Sequence, residues 1–373
     1  MKEHFSAYLP KKTTIDDINS SIISFDANAI LNLYRFKEKT TLEYLSSIKA
    51  VSDRIWLTYI SALEYNILRT TIIKQEKEYL DNLNAKINRF KDDVLTFTSN
   101  KHHNSFPFQQ FNEKLKTTTS ELSNLIISCQ SNQKDIIRKD PIRDELFNLF
   151  DQKTGGALSD SDLDSIYNVA QKRFSVKIPP GYMDEKNKSG KEKLYGDTVI
   201  KSEYSDYILW HELIQKAKDS KCNIVLVTDE KKEDWILKVN GINLGARPEL
   251  ITEMNLKTGC SFSIISSLDF INLIAQTGNI NISQASVDDI NDITSPSWKT
   301  VVVTAFNSMG GVSSLNQLYE WIEKNKPRPL TKQWKVTARK TIYSYCPERD
   351  IYLGTEALFK QVDDGVYKLI NDI

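Results

Sequence analysis

Four acidic residues stand where apolar segments of this sequence end or where helices begin, and they are the side chains best placed for chemistry. Clustered carboxylates repel one another and raise each other's pKa unless a cation neutralises them. Mg²⁺ and Mn²⁺ prefer such oxygen ligands, and near a phosphodiester they activate water and stabilise charge on the phosphate. The pattern therefore suits metal-dependent phosphodiester hydrolysis. The four acids are Asp26, Glu64, Asp206 and Asp229.

Two of these acids follow predicted strands, and the other two begin predicted helices. Asp26 comes directly after the apolar residues 22–25, and Asp229 falls just past the continuous apolar run 224–227. Such runs are typical of buried parallel strands. Glu64 lies in the first turn of a helix expected from near Ser61, and Asp206 opens a helix expected over residues 205–221.

Each acid also has an ordinary structural interpretation. Asp26 and Asp206 could cap the helices that follow them, which is the commonest reason for Asp at such positions. Glu64 could complement a helix dipole, and Asp229 could begin a turn before the lysines at 231–232. Chemistry is favoured because all four acids fall at the same predicted end of one sheet.

The alternation of strands and helices predicts an α/β fold with a parallel sheet over residues 1–280, and ligands bind such sheets at the carboxyl ends of the strands. Residues 70–150 carry apolar side chains at helical spacing and predict an inserted helical hairpin, with KHHNSFPF at 101–108 as its turn. That hairpin is a candidate surface for a protein partner or a second copy of the chain. Residues 151–205 are expected to be mostly loop, apart from one helix after residue 158.

The C-terminal part of the sequence predicts a second, smaller domain. Residues 281–297 are polar and acidic and are expected to form a linker. Over residues 298–373 we expect a helix, a turn at Gly310 and Gly311, two further helices, and a β-hairpin turning at residues 364–365. This order resembles the winged helix-turn-helix modules of restriction and chromatin-associated proteins.

The third helix of this C-terminal segment is basic. It is expected to run from Thr331 to Tyr345 and contains four cationic residues and no acid. Such a surface suits contacts with nucleic-acid phosphates, although winged helices also bind proteins. The four residues are Lys332, Lys335, Arg339 and Lys340.

Several blocks occur in the order found in the PIN-like domains of bacterial defence and toxin contexts, and over residues 10–275 the chain resembles that family. The resemblance implies a PIN-like fold and a Mg²⁺- or Mn²⁺-dependent nuclease that acts on RNA or DNA. The blocks are FDANAILNLYRF, ALEY, PPGYMDEKNKSGKEKLYGD, SDYILWHELIQKAK, IVLVTDEKKEDW and ARPELITEM.

The resemblance also implies roles for individual residues. Asp26, Glu64, Asp206 and Asp229 match the family's catalytic and metal-binding acids, with Asn28 and Thr228 as their polar supports. The third acid stays open, because the family has Gly-Asp running directly into an apolar helix. Here Asp197 follows the glycine, whereas Asp206 begins the helix, and we prefer Asp206. Asp234 is a candidate outer ligand.

Basic residues near these acids have two interpretations. Arg247, in a family-like block, could meet a phosphate or a carboxylate. Lys186, Lys188, Lys191 and Lys193 alternate with acids, so they form either a solvated loop or a loop that grips the substrate.

Bulk properties exclude several classes of protein. The 373 residues include 49 basic and 49 acidic side chains, so any nucleic-acid contact must come from local patches. The four cysteines are far apart, which argues against a zinc site or a disulfide framework. The sequence shows neither a signal peptide nor an apolar run of membrane-spanning length, so we expect a cytoplasmic protein without membrane contact.

Three functional hypotheses follow, and the intact set of acids favours the first. The chain is a nuclease, or an inactive PIN-like scaffold that binds nucleic acid or a protein, or a phosphatase-like enzyme that acts on small phosphoesters.

Overall fold

The computed structural model describes residues 1, 5–9, 11–99, 101, 105–133, 136, 139–239, 242–278, 280–325, 328, 330–354 and 356–370. The α-helices are α1 (Ile15–Ser20), α2 (Ala27–Leu31), α3 (Glu38–Ala50), α4 (Tyr59–Thr98), α5 (Phe108–Gln133), α6 (Pro141–Leu149), α7 (Asp160–Ser175), α8 (Glu185–Lys188), α9 (Ser205–Ser220), α10 (Pro248–Thr258), α11 (Ser267–Ala275), α12 (Gln284–Thr294), α13 (Trp298–Ser308), α14 (Leu315–Asn325) and α15 (Trp334–Ser344). Short 3₁₀ turns cover Ser6–Tyr8, Asn32–Tyr34 and Ser202–Tyr204.

The strands form one parallel sheet and three small antiparallel ones. They are β1 (Ser21–Phe25), β2 (Glu192–Tyr195), β3 (Thr198–Lys201), β4 (Asn223–Val227), β5 (Ile236–Val239), β6 (Ile242–Ala246), β7 (Phe262–Ile265), β8 (Val312–Ser314), β9 (Phe359–Asp363) and β10 (Val366–Leu369). The parallel sheet has the order β1-β4-β7, and the prediction of a parallel α/β sheet is confirmed.

The parallel sheet is covered on both faces, because alternate side chains of each strand point to opposite sides. Val225 and Val227 of β4 belong to one hydrophobic cluster together with Phe25 of β1. Ile224 and Leu226 belong to a second cluster on the other face. A strand buried on both faces explains why residues 224–227 form a continuous apolar run.

Helix α4 is longer than expected, because it joins the helix predicted near Ser61 to the first helix of the predicted insert. It begins at Tyr59, where Thr58 caps it by accepting a hydrogen bond from the Ser61 N–H, and it continues without a break for 40 residues. Its outer part packs along α5 as the predicted hairpin. The expected turn of this hairpin includes residues 102–104, which lie outside the described residues.

Apolar side chains on the α4–α5 hairpin are largely exposed to solvent. Tyr79, Phe90 and Phe97 on α4 and Leu125 and Ile127 on α5 are among the exposed large apolar residues. Contact of this hairpin with a protein partner or a second copy stays a prediction.

Two other segments differ from the sequence-based expectation. The segment 54–68 has an apolar, strand-like start in the sequence, but this start makes isolated bridges at Ile55 and Leu57 and forms no continuous strand. Residues 192–201, predicted as loop, form the antiparallel hairpin β2–β3, with Tyr195 opposite Thr198. Gly196 adopts a positive φ of 59° in the two-residue turn between them, and this turn lets such short strands pair.

The predicted linker over residues 281–297 is corrected by the structure. Residues 284–294 form α12, which packs against α3 and α11. Ile290 is buried in the first hydrophobic cluster, and Asp289 accepts a hydrogen bond from the Lys37 N–H at 2.8 Å. This segment is polar in composition because only one stripe of the helix faces the core.

The C-terminal segment has its own hydrophobic cluster and a three-stranded sheet of order β8-β10-β9. The expected Gly310–Gly311 turn precedes β8, and the expected hairpin is confirmed with its turn at residues 364–365. The third helix of the segment begins at Trp334, three residues later than predicted. Among the described residues, no helix combines the length and the apolar character needed to cross a bilayer.

Candidate active site

A cleft of about 380 Å³ lies where β1 and β4 end and where α4 and α9 begin. Three of the predicted acids, Asp26, Glu64 and Asp206, line it together. The fourth carboxylate on its wall is that of Glu230, which the sequence pattern does not predict. Four lysines also line the cleft: Lys188, Lys191, Lys193 and Lys232.

Asp26 points into the cleft and does not cap the helix that follows it. It occupies the N-cap position of α2, but its side chain makes no capping hydrogen bond. Instead its Oδ2 accepts hydrogen bonds from Thr228 Oγ1 at 2.9 Å and Asn28 Nδ2 at 3.3 Å. The structure thus places both predicted supports against Asp26. Burial, with the nearby charges of Glu64 and Asp206, raises the pKa of Asp26 to about 7.

Glu64 lies near the start of α4, and a buried acid on another helix, Glu212, binds the first backbone N–H groups of α4. The carboxylate of Glu212, on α9, accepts hydrogen bonds from the N–H groups of Tyr59 at 2.7 Å and Ile60 at 3.2 Å. Burial raises the pKa of Glu212 to about 7. Because α9 also carries Asp206, one helix fixes the positions of two cleft acids. A glutamate within the apolar stretch 207–217 was the available sequence signal for this role.

Asp206 lies in the first turn of α9, after the N-cap residue Tyr204, and so it is not the cap. Its Oδ2 is buried and makes no hydrogen bond. The nearest cation is Lys232, whose Nζ lies 3.7 Å from that oxygen. Burial raises the pKa of Asp206 to about 6, although Lys232 and Lys188 act in the opposite direction.

Asp229 does not line the cleft that holds the other three predicted acids, and in this respect the structure differs from the prediction that all four share it. Its Oδ1 accepts a hydrogen bond from the Ser267 N–H at 3.0 Å. Its Oδ2 accepts hydrogen bonds from Ser267 Oγ at 2.6 Å and Asn32 Nδ2 at 2.9 Å. Consecutive side chains after a strand point to different sides, so Glu230 faces the cleft while Asp229 binds the start of α11.

The alternative acids have structural surroundings away from the cleft. Asp197 is exposed in the turn of the β2–β3 hairpin. Asp234 is fully buried, and its Oδ2 accepts hydrogen bonds from the N–H groups of Gly181 at 2.9 Å and Met183 at 3.2 Å. Asp234 thereby holds the Pro-Gly loop that precedes α8, and it does not line the cleft.

Arg247 is engaged by protein groups. Its guanidinium donates hydrogen bonds to both carboxylate oxygens of Glu249 and to the carbonyl of Glu233. Of the two interpretations of this residue, the carboxylate contact is the one present.

Two of the four cleft lysines, Lys193 and Lys232, pair with acids of the cleft. Lys232 Nζ lies 2.7 Å from an oxygen of Asp184 and 3.0 Å from an oxygen of Glu230. Burial lowers the pKa of Lys232, but Asp206 and Glu230 outweigh burial and the net direction is upward. Lys193 Nζ lies 2.8 Å from Glu64 Oε1. Lys186 is exposed and does not line the cleft.

The donor set suits Mg²⁺ or Mn²⁺ in its chemistry, because it consists of carboxylate oxygens with no sulfur or imidazole. The unbonded Oδ2 of Asp206 is a buried oxygen available to a cation. However, within the described part of the chain, no three His, Cys, Asp or Glu side chains are arranged to hold one ion as they lie. Lys193 pairs with Glu64, and Lys232 lies within 4 Å of Asp206 and Glu230, so an ion bound at these oxygens would compete with an ammonium group.

The four basic residues of α15 and the segment before it, Lys332, Lys335, Arg339 and Lys340, are all exposed, as expected. Lys335 pairs with Glu323 at 3.0 Å and lies near the rings of Tyr319 and Trp334. The other three have no ion pair within the described residues.

The family model described as a PIN like domain matches residues 22–250, which include every residue of the cleft. No curated protein and no solved structure matches the chain. Since the family match spans more than half of the 373 residues, the chain belongs to the PIN-like domain family.

Proposed function

We propose that the protein is a metal-dependent endonuclease that hydrolyses phosphodiester bonds in RNA or DNA. The observation that carries the proposal is the meeting of Asp26, Glu64 and Asp206 in one cleft, although 180 positions separate the first from the last. Membership of the PIN-like family, whose fold is of the nuclease type, supports the same conclusion.

The chemistry we propose is attack of a water oxygen on phosphorus, with cleavage of the bond to the departing sugar oxygen, which takes up a proton. A bound Mg²⁺ or Mn²⁺ would lower the pKa of the attacking water and stabilise charge on the phosphate oxygens. Asp26, Glu64, Asp206 and Glu230 would supply the oxygen ligands. Thr228 and Asn28 orient Asp26 through the hydrogen bonds described above, and the cleft lysines would contact phosphate.

We propose further that the C-terminal segment, residues 298–373, is a winged-helix module that binds nucleic acid. Three helices and a three-stranded antiparallel sheet in the order helix, strand, helix, helix, strand, strand support this proposal. The exposed cations on and before α15 support phosphate contact, since nucleic-acid affinity depends largely on such neutralisation. A role as a bacterial defence or toxin effector is part of the proposal and rests on the sequence resemblance alone.

One observation favours a second candidate, an inactive scaffold that binds nucleic acid or a protein. Lys193 and Lys232 neutralise the cleft acids within the protein itself, and such an arrangement can be stable without any ion. The scaffold would bind equally well with or without divalent metal, and it would cleave nothing.

The deciding experiment incubates the full chain with labelled tRNA, single-stranded RNA, single-stranded DNA and duplex DNA. Each reaction is run with Mn²⁺, with Mg²⁺ and with a chelator, for the wild type and for Asp26→Asn. We expect cleavage of at least one polymer that needs metal and Asp26. Retained binding with no cleavage under any condition would select the scaffold, and activity on small phosphoesters alone would select a phosphatase-like enzyme.

A further inference from the structure

Lys193 is a cation enclosed at the edge of the cleft. Its Nζ lies 2.8 Å from Glu64 Oε1 and donates a hydrogen bond to Ser205 Oγ at 2.6 Å. Only 13% of the Lys193 side chain and 19% of the Glu64 side chain are exposed. A lysine ammonium loses hydration at such a site and is stable there only while it is paired.

The β2–β3 hairpin directs Lys193 inward. Lys193 pairs directly with Ile200 on the opposite strand, and opposed residues of a hairpin project from the same face. Ile200 is fully buried in the second hydrophobic cluster, so this face is turned toward the domain. The neighbouring pair, Leu194 and Val199, is exposed on the other face. The hairpin therefore fixes the Lys193 backbone and leaves a flexible four-carbon side chain reaching Glu64.

Lys193 and Lys232 differ in how firmly they are held. Lys232 lies within 4 Å of three carboxylates, those of Asp184, Asp206 and Glu230. Among the described residues, Glu64 is the one carboxylate within that distance of Lys193 Nζ. A divalent cation can therefore displace Lys193 at a lower cost in free energy than it can displace Lys232.

We propose that Lys193 and a divalent cation compete for Glu64, and that the displaced ammonium becomes a contact for a substrate phosphate. The phosphate contact in this inference rests on the proposed nuclease function. The competition rests on the Lys193–Glu64 ion pair. An ammonium and a divalent cation at the same carboxylate oxygen repel each other strongly in a partly enclosed site, so binding of the ion weakens the hold of Glu64 on Lys193. The freed lysine is a compact charge within reach of the cleft, where a phosphodiester carries the compensating negative charge.

If Lys193 competes with the ion, Lys193→Gln should strengthen Mn²⁺ binding but weaken the binding of substrate. The Kd for Mn²⁺ should fall by about tenfold, because the internal competitor is gone. Cleavage at saturating Mn²⁺ should nevertheless weaken, with KM for single-stranded RNA rising by about tenfold, because a phosphate contact is lost. If Lys193 only stabilised the fold, Lys193→Gln would leave the affinities for Mn²⁺ and for RNA unchanged or would weaken both.

The test is titration of the full chain with MnCl₂ in a calorimeter, followed by cleavage kinetics on labelled single-stranded RNA. The matched control is Lys201→Gln, on the same hairpin, where the ammonium lies over the Tyr167 ring and outside the cleft. Lys193→Arg, which keeps the charge, should bind Mn²⁺ like the wild type. Thermal unfolding of each variant shows whether the hairpin still folds.

The outcomes separate this inference from the proposed function. Tighter Mn²⁺ binding by Lys193→Gln in a protein that cleaves no polymer supports the competition and removes the nuclease proposal. A wild type that cleaves RNA, with Mn²⁺ binding unchanged or weakened in Lys193→Gln, keeps the nuclease and overturns the competition. A wild type that binds no Mn²⁺ also overturns it.

Discussion

Thr228 Oγ1 donates a hydrogen bond to Asp26 Oδ2 at 2.9 Å, which joins the ends of two neighbouring parallel strands inside the cleft. Asp26 follows β1 and Thr228 follows β4, and these strands pair in register from Ser21 opposite Asn223 to Phe25 opposite Val227. The sheet therefore brings together residues 202 positions apart, and this contact orients the acid that the proposed reaction needs most.

Asp26→Asn should abolish cleavage while it stabilises the metal-free protein. The substitution removes a ligand oxygen charge, and we expect activity to fall by at least about 100-fold, beyond the usual cost of losing an outer-shell partner. It also removes a carboxyl group whose burial, together with repulsion from Glu64 and Asp206, raises the pKa of Asp26, so the melting temperature should rise by about 2–4 °C. Cleavage assays and thermal unfolding in chelator check both effects. Asp197→Asn, in the exposed hairpin turn, is the control and should change neither quantity.

Glu230 lines the cleft, whereas Asp229 binds the start of α11. Substitutions at these two positions should therefore have different consequences. Asp229→Ala leaves Asn32 Nδ2 and the Ser267 N–H without their acceptor, and it should cost about 1–3 kcal/mol of unfolding free energy. Glu230→Gln should preserve stability and reduce metal-dependent cleavage. Urea unfolding and kinetics on both variants test this assignment, which a stable Asp229→Ala protein with no cleavage would reverse.

The metal-free protein should lose stability as pH rises from about 4 to about 7. Asp26 and Glu212 have pKa values raised to about 7, and Asp206 to about 6. A carboxyl group with a raised folded-state pKa contributes stability that is fully present below its unfolded value and is lost as pH rises through the folded value.

Urea unfolding in chelator at pH 5 and pH 8 measures this effect, and Asp26→Asn should show a smaller difference between the two. Adding Mn²⁺ should stabilise the wild type more at pH 8, where the acids are ionised. Equal stabilisation at both pH values would contradict the assignment of Asp26 and Asp206 to an ion.

Gly155 should tolerate no side chain, whereas its neighbour Gly156 should. A Cβ atom at Gly155 would lie 2.5 Å from Glu212 Oε1 and 2.9 Å from the Tyr59 nitrogen, and one at Gly156 would meet nothing within 4 Å. Gly155→Ala should therefore push Glu212 from the start of α4 and cost about 1–3 kcal/mol. Because this contact positions Glu64, cleavage should fall as well. Gly156→Ala is the matched control, and equal unfolding midpoints for the two variants would refute the clash.

The basic surface of α15 should dominate the salt dependence of nucleic-acid binding. Replacing Lys332, Arg339 and Lys340 with Gln should weaken binding and reduce the slope of log affinity against log salt by about 2–3, as expected for the loss of that many phosphate contacts. Fluorescence anisotropy at several salt concentrations measures this slope. Three exposed lysines of the α4–α5 hairpin, Lys77, Lys86 and Lys116, provide a charge-matched control, and an equal loss from both sets would contradict a dedicated surface.

Local sequence patterns alone predict the strands β1 and β4, the helix α9 and the positions of Asp26 and Asp206 beside them. They can do so because apolar runs and helical periodicity are local properties, and because an acid directly after a parallel strand must lie at its carboxyl end. The same local signals predicted the helices and the hairpin of the C-terminal segment.

Which side chains share the cleft depends on contacts between segments that are distant in the sequence. Asp229 and Glu230 are adjacent and chemically alike, and their separation depends on Ser267 and Asn32, which are remote in sequence. The hairpin that brings Lys193 to Glu64 and the contact of Glu212 with the start of α4 likewise join distant segments. Composition and spacing describe a residue's neighbours along the chain, whereas the direction of a side chain and its partners are set by packing between elements.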